Sequence, residues 1–136
     1  LLTDPARTRL CVIAIPEELA IKEAVEMLEF ATEQVGMHPG AVFLNMVPPR
    51  IEANERLLDA AKELSKALKF NNPEKLVDCA KHIALWRKRV EDYAGVLKNQ
   101  TKQKPYLIPY IPGRLDINGL ERLAHAVEPA FTEDRS

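Results

Sequence analysis

The sequence predicts an α/β protein built on a small parallel sheet of about three strands flanked by helices, and three features carry that expectation. The run Ala41-Val42-Phe43-Leu44-Asn45-Met46-Val47 is apolar almost throughout, entered through Gly36 and Gly40 and left through Pro48-Pro49. A short apolar run of this kind reads as a strand buried on both faces, the habit of parallel sheets. A second β-rich run, Thr8 to Ile15, stops at Pro16, and the stretch between the two has helical spacing. The first 47 residues therefore read as a β-α-β crossover, for which a right-handed connection is expected.

Each element follows from local chemistry. Pro16 is expected to open the first helix, because proline in a first turn has no hydrogen bond to lose and Glu17 and Glu18 face the positive end of the dipole. Ile21, Val25, Leu28, Thr32 and Val35 share one face at 3.6-residue spacing, and Gly36 ends the helix. Two helices are expected after the second strand. Arg50 to Phe70 carries Leu57, Ala61, Leu64 and Leu68 on a stripe, Asn71-Asn72-Pro73 breaks it, and Glu74 to Leu97 carries Leu76, Ala80, Ile83, Val90, Ala94 and Leu97. A helical hairpin inserted over residues 51–100 is the simplest arrangement, with its lysines and arginines on a solvated outer face. Pro105 to Pro112 supplies a third short strand running into a proline-constrained loop, Gly113 to Asn118 continues the loop, and Leu120, Leu123, Ala124, Val127 and Phe131 mark one last helix. Thr132 to Ser136 reads as a frayed, charged tail.

The 136 residues fit one domain or part of one. With 46% hydrophobic and 29% charged residues and a net charge of -1, the composition is globular. Basic residues are spread along the chain, so a nucleic-acid partner is not expected. No apolar run approaches the ~20 residues of a membrane helix, and the N-terminus has no signal-peptide pattern, so an integral membrane protein is not expected and a cytoplasmic location is. The chain begins at Leu1 rather than methionine, as a processed product or part of a longer polypeptide would. Two cysteines do not make a disulfide framework; Cys11 is expected in a core strand and Cys79 as a small buried helix residue, both reduced.

Chemistry-bearing motifs are few. There is no Gly-x-x-x-x-Gly-Lys-Ser/Thr loop, no Gly-x-Gly-x-x-Gly, no Gly-x-Ser-x-Gly and no His-Glu-x-x-His. No catalytic residue is assigned, and His38, His82 and His125 fall in three different elements. Cys79 and His82 are spaced i, i+3, so on a helix they could share a zinc ion, although a structural site needs further ligands from a symmetry mate. Asn45 stands where open α/β sheets bind ligands, outside the carboxyl ends of the strands. Its carboxamide could offer a donor and an acceptor to a planar ring, or it could simply satisfy turn backbone.

Taken together these segments resemble the C-terminal part of the ArsA-like ATPases, the family of arsenite-pump ATPases and of the factor that delivers tail-anchored membrane proteins. Asp4-Pro5-Ala6-Arg7-Thr8 before Leu10 to Ile15 looks like the family's Asp-Pro-x-x-Thr lead into a strand. Pro16 to Ala24 resembles its Pro/Ser-Glu segment and helix start, and Val42 to Val47 its Val-Val-Asn strand end. Pro109 to Pro112 is similar to its Pro-Leu-Leu-Pro loop, and Gly119-Leu120-Glu121-Arg122-Leu123 to the Gly-Leu-x-x-Leu of its last helix. The resemblance covers nearly the whole chain.

The resemblance implies a partial P-loop NTPase-type sheet in which adenine is held by Asn45 and lined by Pro109, Tyr110, Ile111 and Pro112. The glycine-rich loop, water-orienting aspartate and magnesium site that handle ATP phosphates precede this segment in the family, so the segment alone is not expected to hydrolyse ATP. It further implies a homodimeric anion-transporting or targeting ATPase, whose partners are the missing N-terminal half and a client protein or membrane transporter. The family's Cys-x-x-Cys pair, which in some members shares zinc across the dimer, aligns with Cys79 and His82. Ala24 departs from the family's threonine, and the positions of its receptor-binding residues hold Glu18, Lys22 and Val25. The alternative, from the residues alone, is a stand-alone interaction or assembly module that binds no nucleotide and covers a sheet edge by self-association.

Overall fold

A computed structural model describes residues 1–51, 55–69, 72–113 and 115–132. The chain is α/β, and its sheet has three parallel strands, β1 (Leu10–Ala14), β2 (Pro39–Val47) and β3 (Tyr106–Pro109), in the order β1-β2-β3. β2 is central because it is the most apolar. Val42, Phe43 and Leu44 are all buried, so both of its faces are covered. Register pairs Val12 with Val42 and Ala14 with Leu44 on one side, and Phe43 with Tyr106 and Leu44 with Leu107 on the other.

β1 is shorter than the run Thr8 to Ile15. Its leader is held in turns: the Asp4 carboxylate accepts from Ala6 N–H at 3.0 Å and the Asp4 carbonyl from Thr8 N–H at 2.9 Å. An aspartate that binds the backbone two residues on competes with extension into a strand. Helix α1 (Glu18–Glu33) follows. Pro16 does not open it; Glu17 N–H donates to Ile15 at 2.8 Å in a tight turn, Glu17 stays extended at φ -131°, and the helix begins one residue later. Gly36, at φ 72°, stops it, with Met37 N–H donating back to Ala31 at 2.9 Å. The buried face is Ile21, Ala24, Val25, Leu28 and Ala31. Val35 lies beyond the last helical residue, where helical spacing no longer applies, and it is exposed.

Alternation assigns the sheet faces. Val12, Ala14, Val42 and Leu44 share one face, with α1 packed on β1, while the intervening Cys11 and Ile13 are exposed. On the opposite face Phe43, Ile108 and Ala130 make a core with Ala41, Tyr106, Leu123 and Val127 around it. The Phe43 ring stands 5.8 Å from Tyr106 and 6.4 Å from Phe131, tilted on both. Leu123, Val127, Ala130 and Phe131 come from α4 (Ile117–Val127) and α5 (Pro129–Thr132), two helices where one was expected. Proline at 129 has no N–H to continue α4. α4 starts inside the expected loop because Asp116 caps it, accepting from Gly119 N–H at 2.8 Å. Leu120 and Ala124 face outward and only Leu123 and Val127 face the core.

The chain divides into two compact units, Leu1–Val47 with Val90–Ser136, which holds the sheet, and Pro48–Arg89. The second unit carries α2 (Glu55–Ala67) and the first part of α3 (Pro73–Thr101). α2 does not reach back to Arg50, which lies with Ile51 outside it; residues 52–54, Phe70 at the end of the expected helix and Asn71 of the expected break lie outside the described residues. Among the described residues of α2, Ala61 and Ser65 are buried, whereas Leu64 and, just beyond the helix, Leu68 of the expected stripe are exposed. Asn72 caps α3 by accepting from Lys75 N–H at 3.2 Å, and Pro73 takes the first helical position. Lys62, Lys66 and Lys81 make i, i+3 ion pairs with Asp59, Glu63 and Asp78 between exposed side chains. Such pairs add little stability.

Candidate functional site

The carboxyl ends of β2 and β3 are where the chemistry expected from the sequence converges. Their register runs Leu44 to Leu107 and then Val47 to Pro109, so β2 spends three residues where β3 spends two. The extra residue is a bulge at Asn45 and Met46, a device that re-aims a side chain at the edge of a site. Met46 takes φ 58°, a left-handed conformation uncommon for a residue with a Cβ. Its N–H turns back onto Asn45 and donates to Oδ1 at 2.8 Å.

That contact orients the carboxamide. A backbone N–H is a donor only, so the atom facing it is the oxygen, and Nδ2 with its two donors projects elsewhere. Oδ1 keeps a second lone pair. Asn45 thus satisfies turn backbone and still has donors for a ligand, so the two readings of this residue are compatible. It is half-buried, neither sealed in the core nor fully solvated.

The proline loop lies alongside. Tyr110 N–H donates to Val47 at 2.8 Å, which carries the β2–β3 ladder one residue past the end of β3. Pro109 and Ile111 are half-buried, and Tyr110 and Pro112 exposed. Gly113, at φ 83°, turns the chain toward α4. Gly119 in the first turn of α4 is buried; a Cβ there would stand 2.8 Å from Leu115, 3.3 Å from the Asp116 carboxylate and 3.5 Å from Ile111. Its bareness lets the loop and the helix start lie together. Asn45, Pro109, Tyr110, Ile111 and Pro112 therefore lie at the carboxyl ends of two adjacent strands.

The other candidates are dispersed. Cys11 and Cys79 are both exposed, not core residues. Cys11 lies on the same face of the edge strand as the exposed Ile13. His82 Nδ1 lies 2.8 Å from the Asp78 carbonyl, a hydrogen bond within the helix. Among the described residues no group of three or more His, Cys, Asp or Glu is placed to hold a metal ion. No helix among them is long and apolar enough to cross a membrane. The backbone features that shape the site, the bulge and the left-handed Met46, had no sequence signal, because methionine is not a residue that marks such a turn.

No family model matches this chain, and no curated protein does.

Proposed function

We propose that this chain is the C-terminal portion of an ArsA-like ATPase and forms the adenine-side wall of its ATP site. The observation that carries the reading is the alignment of Asn45 with Pro109–Tyr110–Ile111 at the carboxyl ends of β2 and β3, tied together through Val47 and Tyr110. A purine ring between them would meet the Nδ2 donors of Asn45 on its edge and the proline loop on its side. The strained backbone at Met46 fits a binding site, where such strain tends to be kept.

The rest of the pocket belongs to another part of the parent protein. The sequence holds no phosphate loop, so the phosphates, magnesium and attacking water are handled there. Among the described residues β1 has no strand on its outer edge, and that edge, with the 62% exposed Ile13 on it, is what a strand of that part would pair with. In the parent, a cytoplasmic homodimer, ATP binding and hydrolysis would drive closure, with the Pro48–Arg89 unit meeting a client or transporter. Cys79 and His82 would supply one half of a zinc site shared between two copies.

The reading frame upstream of Leu1 is the most direct test: a Gly-Lys-Gly-Gly-x-Gly-Lys-Ser/Thr loop there supports the reading, and a frame without any phosphate loop overturns it. Equilibrium dialysis of the parent with labelled ADP is the second, where equal binding by the Asn45→Ala variant removes Asn45 from the site.

The open β1 edge also favours a second reading, a stand-alone assembly module with no nucleotide site. Size-exclusion chromatography with light scattering on the 136-residue chain separates the two, since this reading requires self-association that Ile13→Lys disrupts and a monomer excludes it.

A further inference from the structure

The end of the sheet opposite Asn45 carries a separate feature. A pocket of about 340 Å³ opens at the amino ends of the strands, lined by Arg9, Pro39, Gly40, Ala41, Gln103, Lys104, Tyr106 and Ala130. Among the described residues that line it, the two charged side chains are both cations and none is a carboxylate. Arg9 immediately precedes β1 and Lys104 nearly precedes β3, so the cations come from the two strands flanking β2. The first residues of β2 form the floor between them.

Local structure positions both. Gly40 is bare because a Cβ there would stand 3.1 Å from Cys11 Sγ and 3.2 Å from the Arg9 Cβ, so β1 closes in on β2 and carries Arg9 to the pocket. On the other side Lys102 ends α3 at φ 61°, Thr101 Oγ1 accepts from Gln103 N–H at 3.3 Å, and buried Pro105 follows Lys104. Lys104 is thereby held between a tied turn and a proline. Ala41, Ala130 and Tyr106 belong to the Phe43 core cluster and make an apolar wall.

We propose that this pocket binds the phosphate monoester group of a compact, partly apolar molecule. Arg9 offers a planar fork matched to phosphate oxygens, Lys104 a point charge and Gln103 a neutral donor. Such a group carries nearly two negative charges at neutral pH and has several acceptor oxygens to share among these donors. Arg9 also interacts with a neighbouring group, and the five donors of a guanidinium allow it to serve both. The volume is at the small end of ligand pockets, and the apolar wall sets a preference for a monoester over the inorganic ion. This site does not depend on the nucleotide reading.

The test is titration of the 136-residue chain with phenyl phosphate, inorganic phosphate and benzoate at constant ionic strength, followed by calorimetry and amide NMR shifts. Phenyl phosphate is expected to saturate, to bind more tightly than the other two, and to move the amides of Gly40, Ala41, Gln103 and Lys104. Arg9→Gln and Lys104→Gln are each expected to weaken it about tenfold or more, the scale of one charge-assisted hydrogen bond. Both replace exposed side chains, so unchanged circular dichroism is expected. Non-saturable binding, wild-type affinity in both variants, shifts confined to other residues, or benzoate binding as tightly as phenyl phosphate would each overturn the proposal.

Discussion

Met46 donates its backbone N–H to the carboxamide oxygen of Asn45 at 2.8 Å while sitting at φ 58°. One residue thus bears the backbone strain that orients its neighbour. A left-handed residue with a Cβ costs roughly 1–2 kcal/mol, and glycine removes that cost while adding entropy to the unfolded chain. Met46→Gly is expected to stabilise the protein by up to about 1 kcal/mol, read as a higher urea midpoint at unchanged m. A lower midpoint would mean that the methionine side chain contributes more than its conformation costs.

The central strand carries the stability of the sheet. Leu44 is fully buried, and Leu44→Ala should cost about 2–5 kcal/mol, the range for emptying a packed leucine site. Ile13 is 62% exposed on the edge strand, and Ile13→Ala should stay within about 0.5 kcal/mol. Chemical denaturation of the two variants side by side checks the difference.

Asp116 holds the start of α4 through its bond to Gly119 N–H at 2.8 Å. Asp116→Ala is expected to cost about 1 kcal/mol, and Asp116→Asn much less, because the carboxamide oxygen still caps. Thermal unfolding distinguishes them. The same loss should loosen the loop from Pro109 to Gly113, visible as faster amide exchange at Tyr110.

Both cysteines should react with a thiol reagent in the folded state, since both are exposed. Two equivalents per chain are expected without denaturant, and one each for Cys11→Ser and Cys79→Ser. A thiol reacting only in denaturant would return that cysteine to the core.

Much of the fold was legible from spacing and punctuation. The run to Asn45 announced a strand buried on both faces, Gly36 announced a helix end, and Asn71-Asn72-Pro73 a break between two helices, because each depends on the intrinsic conformational limits of the residues concerned. Helix faces were less legible. Leu64, Leu68 and Leu120 keep the right spacing yet are exposed, since periodicity defines a stripe but not which part of it meets a neighbour.

The sequence by itself determined the fold class, the order of elements up to α4 and the placement of Asn45 and Pro109–Pro112 near strand ends. Only the tertiary structure decided that β2 and β3 are adjacent, that a bulge turns Met46 onto Asn45, and that Arg9 and Lys104 meet at the opposite end. The physical reason is that strand neighbours and bulges are set by hydrogen bonds between distant segments. A local pattern constrains the conformation of its own residues, whereas pairing and register depend on which face each strand must bury.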